Sequence, residues 1–369
     1  MKINISKNFY LTLTLLGITS LIAGCSDSRD QGVAHEDMSA VHEEMTAAMD
    51  THYPVSEQEY NKLQVWKYME AYSTSEHESV AAELQAPDYE RIRSEFHNMR
   101  HHALESELMD SAQPLSTAIH TRRDLVDVVM AEGDMVAVRY RIQGVHQGNL
   151  YGIPATGNAI DIDSAAIFWM ADGKITKSWF MADEAALLRQ IDQPLPQRED
   201  GRWEAGPVYL PVTTGDEYLA GLLANPQDSQ PYRNKLMINA YKSENPPEGI
   251  LPPPEDYGTG TRRGFANITD GATPENAAQY PFGGAFPDRV DMTAALMADG
   301  KWVMVLFRLT ATNTQSLLGI PALGNEVSAY EIGFMEFDGA DWAYRWFFGD
   351  DLGMLMQLGG SMDYWFPGD

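Results

Sequence analysis

The sequence predicts an α+β fold written twice. Three observations predict it. Helical apolar faces come before alternating strands, Asp-Gly turns punctuate those strands, and landmarks of the first half return in the second at one spacing. That spacing is 167 residues: GIPATG begins at Gly152 and GIPALG at Gly319, while Trp179, Asp183 and Arg141 return as Trp346, Asp350 and Arg308. Val136, Val138, Tyr140 and Ile142 alternate as one strand face, and Val303, Val305, Phe307 and Leu309 hold the equivalent positions. Only the Asp-Gly turns depart, since Asp338 follows Asp172 by 166, so the second half is expected to lose a residue before its hairpin and regain it after.

The chain opens with a targeting pattern. Lys2 and Lys7 precede an apolar run from Phe9 to Ala23 that is short for a bilayer span and has the layout of an export signal. It ends in Leu-Ile-Ala-Gly and the sole cysteine, Cys25, which resembles the lipobox of bacterial lipoproteins, whose cysteine is diacylated. Ser26 resembles the outer-membrane class. The resemblance implies a signal peptide over 1–24, a lipid anchor on Cys25 and a place in the cell envelope facing the periplasm. Acyl chains contribute about 0.8 kcal/mol per buried methylene, so such an anchor needs no transmembrane helix. With one cysteine, no intrachain disulfide can form.

Residues 25–56 read as an acidic tether. His35, Met38, His42, Met45, Met49 and His52 fall on one helical stripe there, which suits copper ligation or the methionine face of an amphipathic helix. The first folded unit spans 57–192. Val65, Trp66, Met69 and Tyr72 give a helical face, and a second helix is expected from Tyr89 to Met109. Glu132-Gly133-Asp134 turns into a strand from Met135 to Gly144; the GIP turn leads to a strand from Ile160 to Met170; Asp172-Gly173 turns into Lys174 to Met181; a helix from Glu184 to Ile191 closes the unit. Pro194, Pro196 and Pro211 mark a linker over 193–214. The second unit, 215–362, opens on Tyr218, Leu219, Leu222 and Leu223, passes through a Pro/Gly-rich stretch from Ser243 to Phe286, and returns to strands at Val290–Met297 and Lys301–Thr310. Asp350 is placed to cap a last helix through Leu358, and 363–369 is a tail.

A net charge of −27, with 26 basic residues against 53 acidic ones, argues against nucleic acid and against electrostatic attachment to anionic lipid. A hydrophobic content of 44% is enough for packed cores.

Several segments together carry a family resemblance: Ala131-Glu132-Gly133-Asp134 and the strand after it, Gly144-Val145-His146-Gln147-Gly148, Gly152 to Gly157, Asp172-Gly173-Lys174-Ile175, Trp179, Asp183 and Gln190. Phe286-Pro287-Asp288, Gly319 to Gly324, Trp346, Asp350 and Gln357-Leu358-Gly359 supply the second set. The chain resembles a tandem double copy of the SnoaL-like polyketide cyclase, or ester cyclase, family. The resemblance implies two nuclear transport factor 2-like cones, each with helices closed over a curved antiparallel sheet and a cavity for a small, largely apolar molecule. It also implies pairing through outer sheet faces, hence a pseudo-dimer within one chain, and chemistry that needs neither metal nor cofactor. In the family a carboxylate moves the proton, and it follows a tryptophan in a His-Trp-Asp pattern. Here the two copies read Ser178-Trp179-Phe180 and Arg345-Trp346-Phe347, without the histidine or the acid.

Other groups are then candidates. Asp183 and Asp350 lie four residues beyond each tryptophan, as acids or as helix N-caps. Asp163 and Glu331 lie inside apolar strands, facing either cavity or solvent. His146 resembles the family's histidine near the turn, with Asn313 at the equivalent position. Asp183, Asp163 and His146 are the candidate catalytic groups. Tyr140, Arg141, Trp179, Phe180, Phe307, Arg308, Glu331, Trp346, Phe347 and Asp350 are candidate ligand contacts, the two arginines also suiting pairs with neighbouring carboxylates. His97, His101 and Glu105 on one helix face suit zinc or a solvated surface. The leading expectation is an exported, lipid-anchored small-molecule binder with catalysis weak or lost. Its alternatives are a cofactor-free acid–base cyclase, isomerase or hydrolase using a carboxylate of the first unit, and a periplasmic metal-binding protein.

Overall fold

The computed structural model describes residues 56–105, 115–193, 208–252, 256, 259–262, 285–315, 322 and 324–358. These fall within one compact unit, Pro54–Asp369. Cys25, the tether with its His/Met stripe, most of the linker and much of the Pro/Gly-rich stretch lie outside the described residues. No described helix is long and apolar enough to cross a membrane.

The chain begins with α1 (Glu57–Ala71), started by the Ser56 hydroxyl accepting from the Glu59 N–H, and α2 (His77–Leu84). Strand β1 (Gln85–Arg93), α3 (His97–Glu105) and the short α4 (Leu115–Ala118) follow. A meander of β2 (Ile119–Glu132), β3 (Met135–His146), β4 (Ala159–Ala171) and β5 (Lys174–Ala182) leads into α5 (Glu184–Gln190). Beyond β6 (Thr213–Thr214) come α6 (Gly215–Ala224), α7 (Gln230–Tyr241) and β7 (Thr259–Arg262). A second meander, β8 (Val290–Asp299), β9 (Trp302–Thr312), β10 (Glu326–Asp338) and β11 (Asp341–Gly349), ends in α8 (Asp351–Gln357).

Two sheets result, ordered β1-β5-β4-β3-β2 and β6-β8-β9-β10-β11-β7. Both are antiparallel except where β1 and β7 run parallel to β5 and β11. The helix expected from Tyr89 is therefore wrong at its start: Tyr89 to Arg93 belong to an edge strand. Pro87 disfavours the helical region for Ala86 and has no N–H to donate, which an edge strand tolerates.

The ladders coincide residue by residue at the spacing of 167. Arg141 opposes Asp163 and Arg308 opposes Tyr330; Gly144 opposes Ile160 and Ala311 opposes Val327. Even the bulges match, falling between Val126 and Val128 and between Thr293 and Ala295. Such bulges bend the sheets. The expected slip at the second hairpin does not occur. Ala171 pairs Lys174 and Asp338 pairs Asp341, so Asp338 ends its strand and Gly339 takes the first turn position that Asp172 holds. Both residues have positive φ there, 50° for Asp172 and 63° for Gly339, as a two-residue hairpin requires.

Each sheet has an inner face under helices and an outer face against the other sheet. Val65, Tyr68 and Met69 of α1 and Leu187 and Leu188 of α5 pack with Val138, Tyr140, Phe168 and Phe180 inside the first sheet. Ile238 of α7 packs with Val305, Phe307 and Phe347 inside the second. The outer faces meet in one apolar seam, where Ala165, Ile167, Trp179 and Met181 pack with Leu306, Ile332, Phe334, Trp346 and Phe348. Its rim is reciprocal: the Ala131 N–H donates to Asp299 at 3.0 Å and the Ala298 N–H to Glu132 at 2.8 Å. Lys62 reaches Asp299 and Lys235 reaches Glu132.

Candidate functional site

The inner face of the first sheet carries a buried ionic cluster. Arg122 and Asp124 come from β2, Tyr140 from β3, and Glu95 from the turn between β1 and α3. Arg122 donates from Nε to Asp124 Oδ1 at 2.9 Å and from Nη2 to Asp124 Oδ2 at 3.1 Å. The same Nη2 donates to Glu95 Oε2 at 2.8 Å, and the Tyr140 hydroxyl donates to Glu95 Oε1 at 3.0 Å. The neighbours Phe96 and Thr121 both sit at φ 55°, a costly conformation for bulky or β-branched residues, so strained backbone flanks both Glu95 and Arg122.

Aromatic groups wall the cluster. Tyr72 lies 5.4 Å from the Arg122 guanidinium and stacks on Phe180 at 5.5 Å, and Phe180 meets Phe168 edge-on at 5.4 Å. Arg91 donates to the Tyr72 hydroxyl and lies 4.7 Å over the Phe180 ring. Ser164, opposite Tyr140 on β4, is fully buried and its hydroxyl has no hydrogen-bond partner among the described residues. Burial pushes the Asp124 carboxyl up to about 6; Arg122 opposes this and the Glu95 charge adds to it.

The inner face of the second sheet holds the matching arginine and aspartate. Arg289 donates from Nε to Asp291 Oδ1 at 2.8 Å, and from Nη2 to Asp291 Oδ2 and Glu331 Oε2 at 3.1 Å each. Here a fourth group joins: Lys242 Nζ lies 3.1 Å from Asp291 Oδ2 and 3.4 Å from the Phe307 ring centre. Burial disfavours the Asp291 carboxylate, but Lys242 and then Arg289 outweigh it and hold its pKa down to about 2. Aspartates at equivalent positions thus shift in opposite directions. Among the described residues Arg122 pairs with both Asp124 and Glu95 on the first face, with Arg91 beside them over Phe180, and Lys242 and Arg289 both pair with Asp291 on the second.

A third polar cluster joins the halves at the seam's edge. Glu184 accepts from the Asn98 and Met99 N–H groups and the Asn98 amide, which also donates to Asp350. Arg93 pairs with Asp350 at 2.8 Å. Burial, then the Asp350 charge, raises the Glu184 carboxyl to about 7.

The structure separates the residues singled out in the sequence. Tyr140, Phe180, Phe307, Phe347 and Glu331 face inward, so phenylalanines line the positions where the resemblance places the acid. Trp179, Trp346, Arg141 and Arg308 face outward, because neighbours along a strand point to opposite faces. The two tryptophans fill the seam, Arg141 pairs with Asp161 at 2.5 Å, and Arg308 donates to Ser328 at 2.5 Å. These four therefore stand away from the inner face, and Arg141 takes the carboxylate pair that was its alternative. Asp163 shares their outward parity, opposite Arg141. Asp183 caps α5 by accepting from the Ala186 N–H, and Asp350 caps α8 through the Gly353 N–H. His146 is buried against the GIP turn, 3.1 Å from the Thr156 hydroxyl, and burial lowers its pKa, which keeps it neutral. His97 and His101 stack at 6.2 Å; His97 meets the Tyr209 hydroxyl, and burial and Arg93 lower its pKa to about 4. The Glu105 side chain lies outside the described residues, and among the described residues no group of three His, Cys, Asp or Glu is placed to hold a metal.

Sequence reasoning missed Arg122, Asp124, Glu95, Arg289, Asp291 and Lys242. A signal existed for four of them, because Arg122 and Asp124 return as Arg289 and Asp291 at the same spacing of 167.

Residues 64–191 match the family model of the SnoaL-like polyketide cyclases. None of the curated proteins matches the chain. Similar solved structures include a proposed SnoaL-like polyketide cyclase from Jannaschia sp. CCS1, at 20% identity over 38% of this chain and 96% of that one, with a TM-score of 0.30. IdmH from Streptomyces antibioticus matches at 20% identity over 36% of this chain and 98% of its own, with a TM-score of 0.29. TsrD from Streptomyces laurentii matches at 19% identity over 37% and 98%, with a TM-score of 0.28.

Proposed function

We propose, with the match of residues 64–191 to the SnoaL-like family as premise, that the chain is an exported protein, lipid-anchored through Cys25, with two SnoaL-like domains paired through their outer faces as an internal pseudo-dimer. In this reading 57–192 is the binding domain. It takes a small, largely apolar molecule on its inner face, and 215–362 is a partner whose own inner face is sealed by its ion pairs.

The observation that carries this reading is the Ser164 hydroxyl on the first inner face, buried with no hydrogen-bond partner among the described residues. Arg289 and Lys242 neutralise Asp291 and Glu331 within the fold. Arg122 pairs with Asp124 and Glu95 beside that hydroxyl, with the Arg91 guanidinium 4.7 Å over the Phe180 ring. Unfinished polar groups in an apolar site are what a ligand completes. Native mass spectrometry of the full chain released from its membrane tests it. One small molecule per chain and an acylated Cys25 are expected; an empty chain with unmodified cysteine overturns the reading.

Acid–base catalysis is the second reading, and the Asp124 carboxyl near 6 is what favours it, since a base with a pKa near the working pH transfers protons well. Carbon-detected NMR titration of the Asp124 carboxyl decides it: a midpoint near 6 supports the role, and one below the ordinary carboxylate range removes it.

A further inference from the structure

The polar cluster at the seam's edge brings two carboxylates from opposite halves onto one amide nitrogen. Asn98 Nδ2 donates to Glu184 Oε2 at 2.5 Å and to Asp350 Oδ1 at 2.6 Å. Asn98 and Glu184 belong to the first half, in α3 and α5, and Asp350 caps α8 of the second. The amide thus spends both its hydrogens on a bridge between the halves. Arg93 makes the cluster's other link across the halves, from Nη2 to Asp350 Oδ2 at 2.8 Å.

The two acids are held differently. Asp350 has the Arg93 guanidinium on one oxygen and the Asn98 amide and Gly353 N–H on the other. Burial disfavours its carboxylate, but Arg93 and then Asn98 outweigh it and hold its pKa below the ordinary value. Glu184 is met, among the described residues, by amide donors: the Met99 N–H on Oε1, and the Asn98 N–H and side-chain amide on Oε2. Burial, then the Asp350 charge, raises its pKa to about 7. His97 from α3, Tyr151 from the GIP turn and Tyr209 from the segment before β6 also face the pair, and Asp351 lies buried next along α8. A proton entering the cluster therefore goes to Glu184 before Asp350.

That proton finds no acceptor among the hydrogen-bond partners of Glu184. All of them are N–H groups, so a protonated Oε2 would point a donor at a donor. Turning the Asn98 amide about its last torsion, which is broad and two-fold, exchanges its nitrogen for its oxygen and supplies the acceptor. The same turn takes the amide donor away from Asp350.

We propose that Asn98 is a proton-operated latch between the halves: its amide bridges Glu184 and Asp350 while both are ionised, and turns its carbonyl to Glu184 when that acid takes a proton, leaving the Arg93 pair to hold Asp350. The latch is independent of what either inner face binds. Glu184 has a folded pKa above its ordinary value of 4.5, so its contribution to stability is full below pH 4.5 and is lost as pH rises through 7. Acidification from pH 8.5 to 6 thus releases the bridge without destabilising the fold.

Two measurements on the full chain test the proposal. Carbon-detected NMR titration of the Glu184 carboxyl is expected to give a midpoint near 7, and Asp350→Asn should lower it. A double-mutant cycle of Asn98→Ala with Asp350→Asn, read by urea denaturation, reports the bridge itself. At pH 8.5 the two residues are expected to be coupled by roughly tenfold or more in the folding equilibrium, and at pH 6 that coupling should vanish. In a Glu184→Gln background, whose amide donates to the Asn98 carbonyl at either pH, the coupling should be absent throughout. Should any variant fail to fold, the wild-type titration still decides, because a Glu184 midpoint below 5 overturns the latch. Coupling of Asn98 to Asp350 that is equal at pH 6 and 8.5 overturns it as well, and would mean that the amide keeps its orientation whatever the charge on Glu184.

Discussion

Removing the carboxylate of Asp291 would take from the buried Lys242 and the part-exposed Arg289 the carboxylate they share. Removing that of Asp124 would leave Arg122 still paired with Glu95. Uncompensated buried charge is the dominant cost of breaking such networks, so Asp291→Asn is expected to cost about 3–5 kcal/mol and Asp124→Asn less than half that, by urea denaturation at pH 7.5. The pH dependences should also differ in sign. Asp124 has a folded pKa of about 6, above its ordinary value of 3.8, so its contribution is full below pH 4 and is lost as pH rises through 6. Asp291, held to about 2, contributes above pH 4 and loses that contribution as pH falls through 2. Urea midpoints at pH 4.5 and 7 check the first of these: Asp124→Asn should flatten the decline between them, and an unchanged slope would assign it to other groups. At this scale the shared face of Tyr140 and Phe307 with their strands' valines was legible from alternation, whereas Phe180 and Phe347 stand on other strands. The same parity argument, carried one residue along, puts Trp179 opposite to Phe180. Glu95 was not legible, since it enters from a turn in which Phe96 takes a positive φ that its residue type does not announce.

The elements closing each meander are fastened by a repeated device. The Gln190 amide donates to the Asp161 carbonyl while its oxygen accepts from the Asp161 N–H, and Gln357 does the same with Ser328. A glutamine here substitutes for a neighbouring strand, satisfying an edge of β4 or β10 that α5 or α8 covers. Gln357→Leu is expected to destabilise by about 1–3 kcal/mol, and Gln190→Leu by less because its site is only partly buried. Thermal unfolding of the two variants would show the order. The caps should rank similarly: Asp183→Ala loses an N-cap worth roughly 1 kcal/mol, whereas Asp350→Ala also strands Arg93, whose side chain is 3% exposed. Strands, hairpins and caps were readable because each has a local cause in alternation, turn chemistry or a capping side chain. The edge strand β1 was misread because its partner, β5, lies far along the chain. Pro87 was the local warning.

At the scale of the whole molecule, the seam decides whether the two sheets melt together. Its centre is apolar on both sides, and aromatic contacts cross it: Trp179 lies 6.0 Å from Tyr330, and the Arg139 guanidinium lies 5.0 Å over Trp346. The rim adds the reciprocal pairs of Lys62 with Asp299 and Lys235 with Glu132, each a helix lysine reaching the strand-end acid of the other sheet. This reciprocal seam joins the two sheets within one chain. The apolar side chains at its centre would be exposed on either sheet alone, which couples their unfolding. Scanning calorimetry of the full chain is therefore expected to give one transition. Ile332 is fully buried in the seam, and Ile332→Asp would place an unpaired carboxylate there, at a cost of about 4 kcal/mol or more. Because Ile332 faces away from Lys242, Arg289 and Asp291, the change removes the coupling before it disturbs either inner face. Two resolved transitions in that variant are the expected result. A single transition, merely lowered, would mean that the halves are joined by the Arg93, Asn98, Glu184 and Asp350 cluster rather than by the seam.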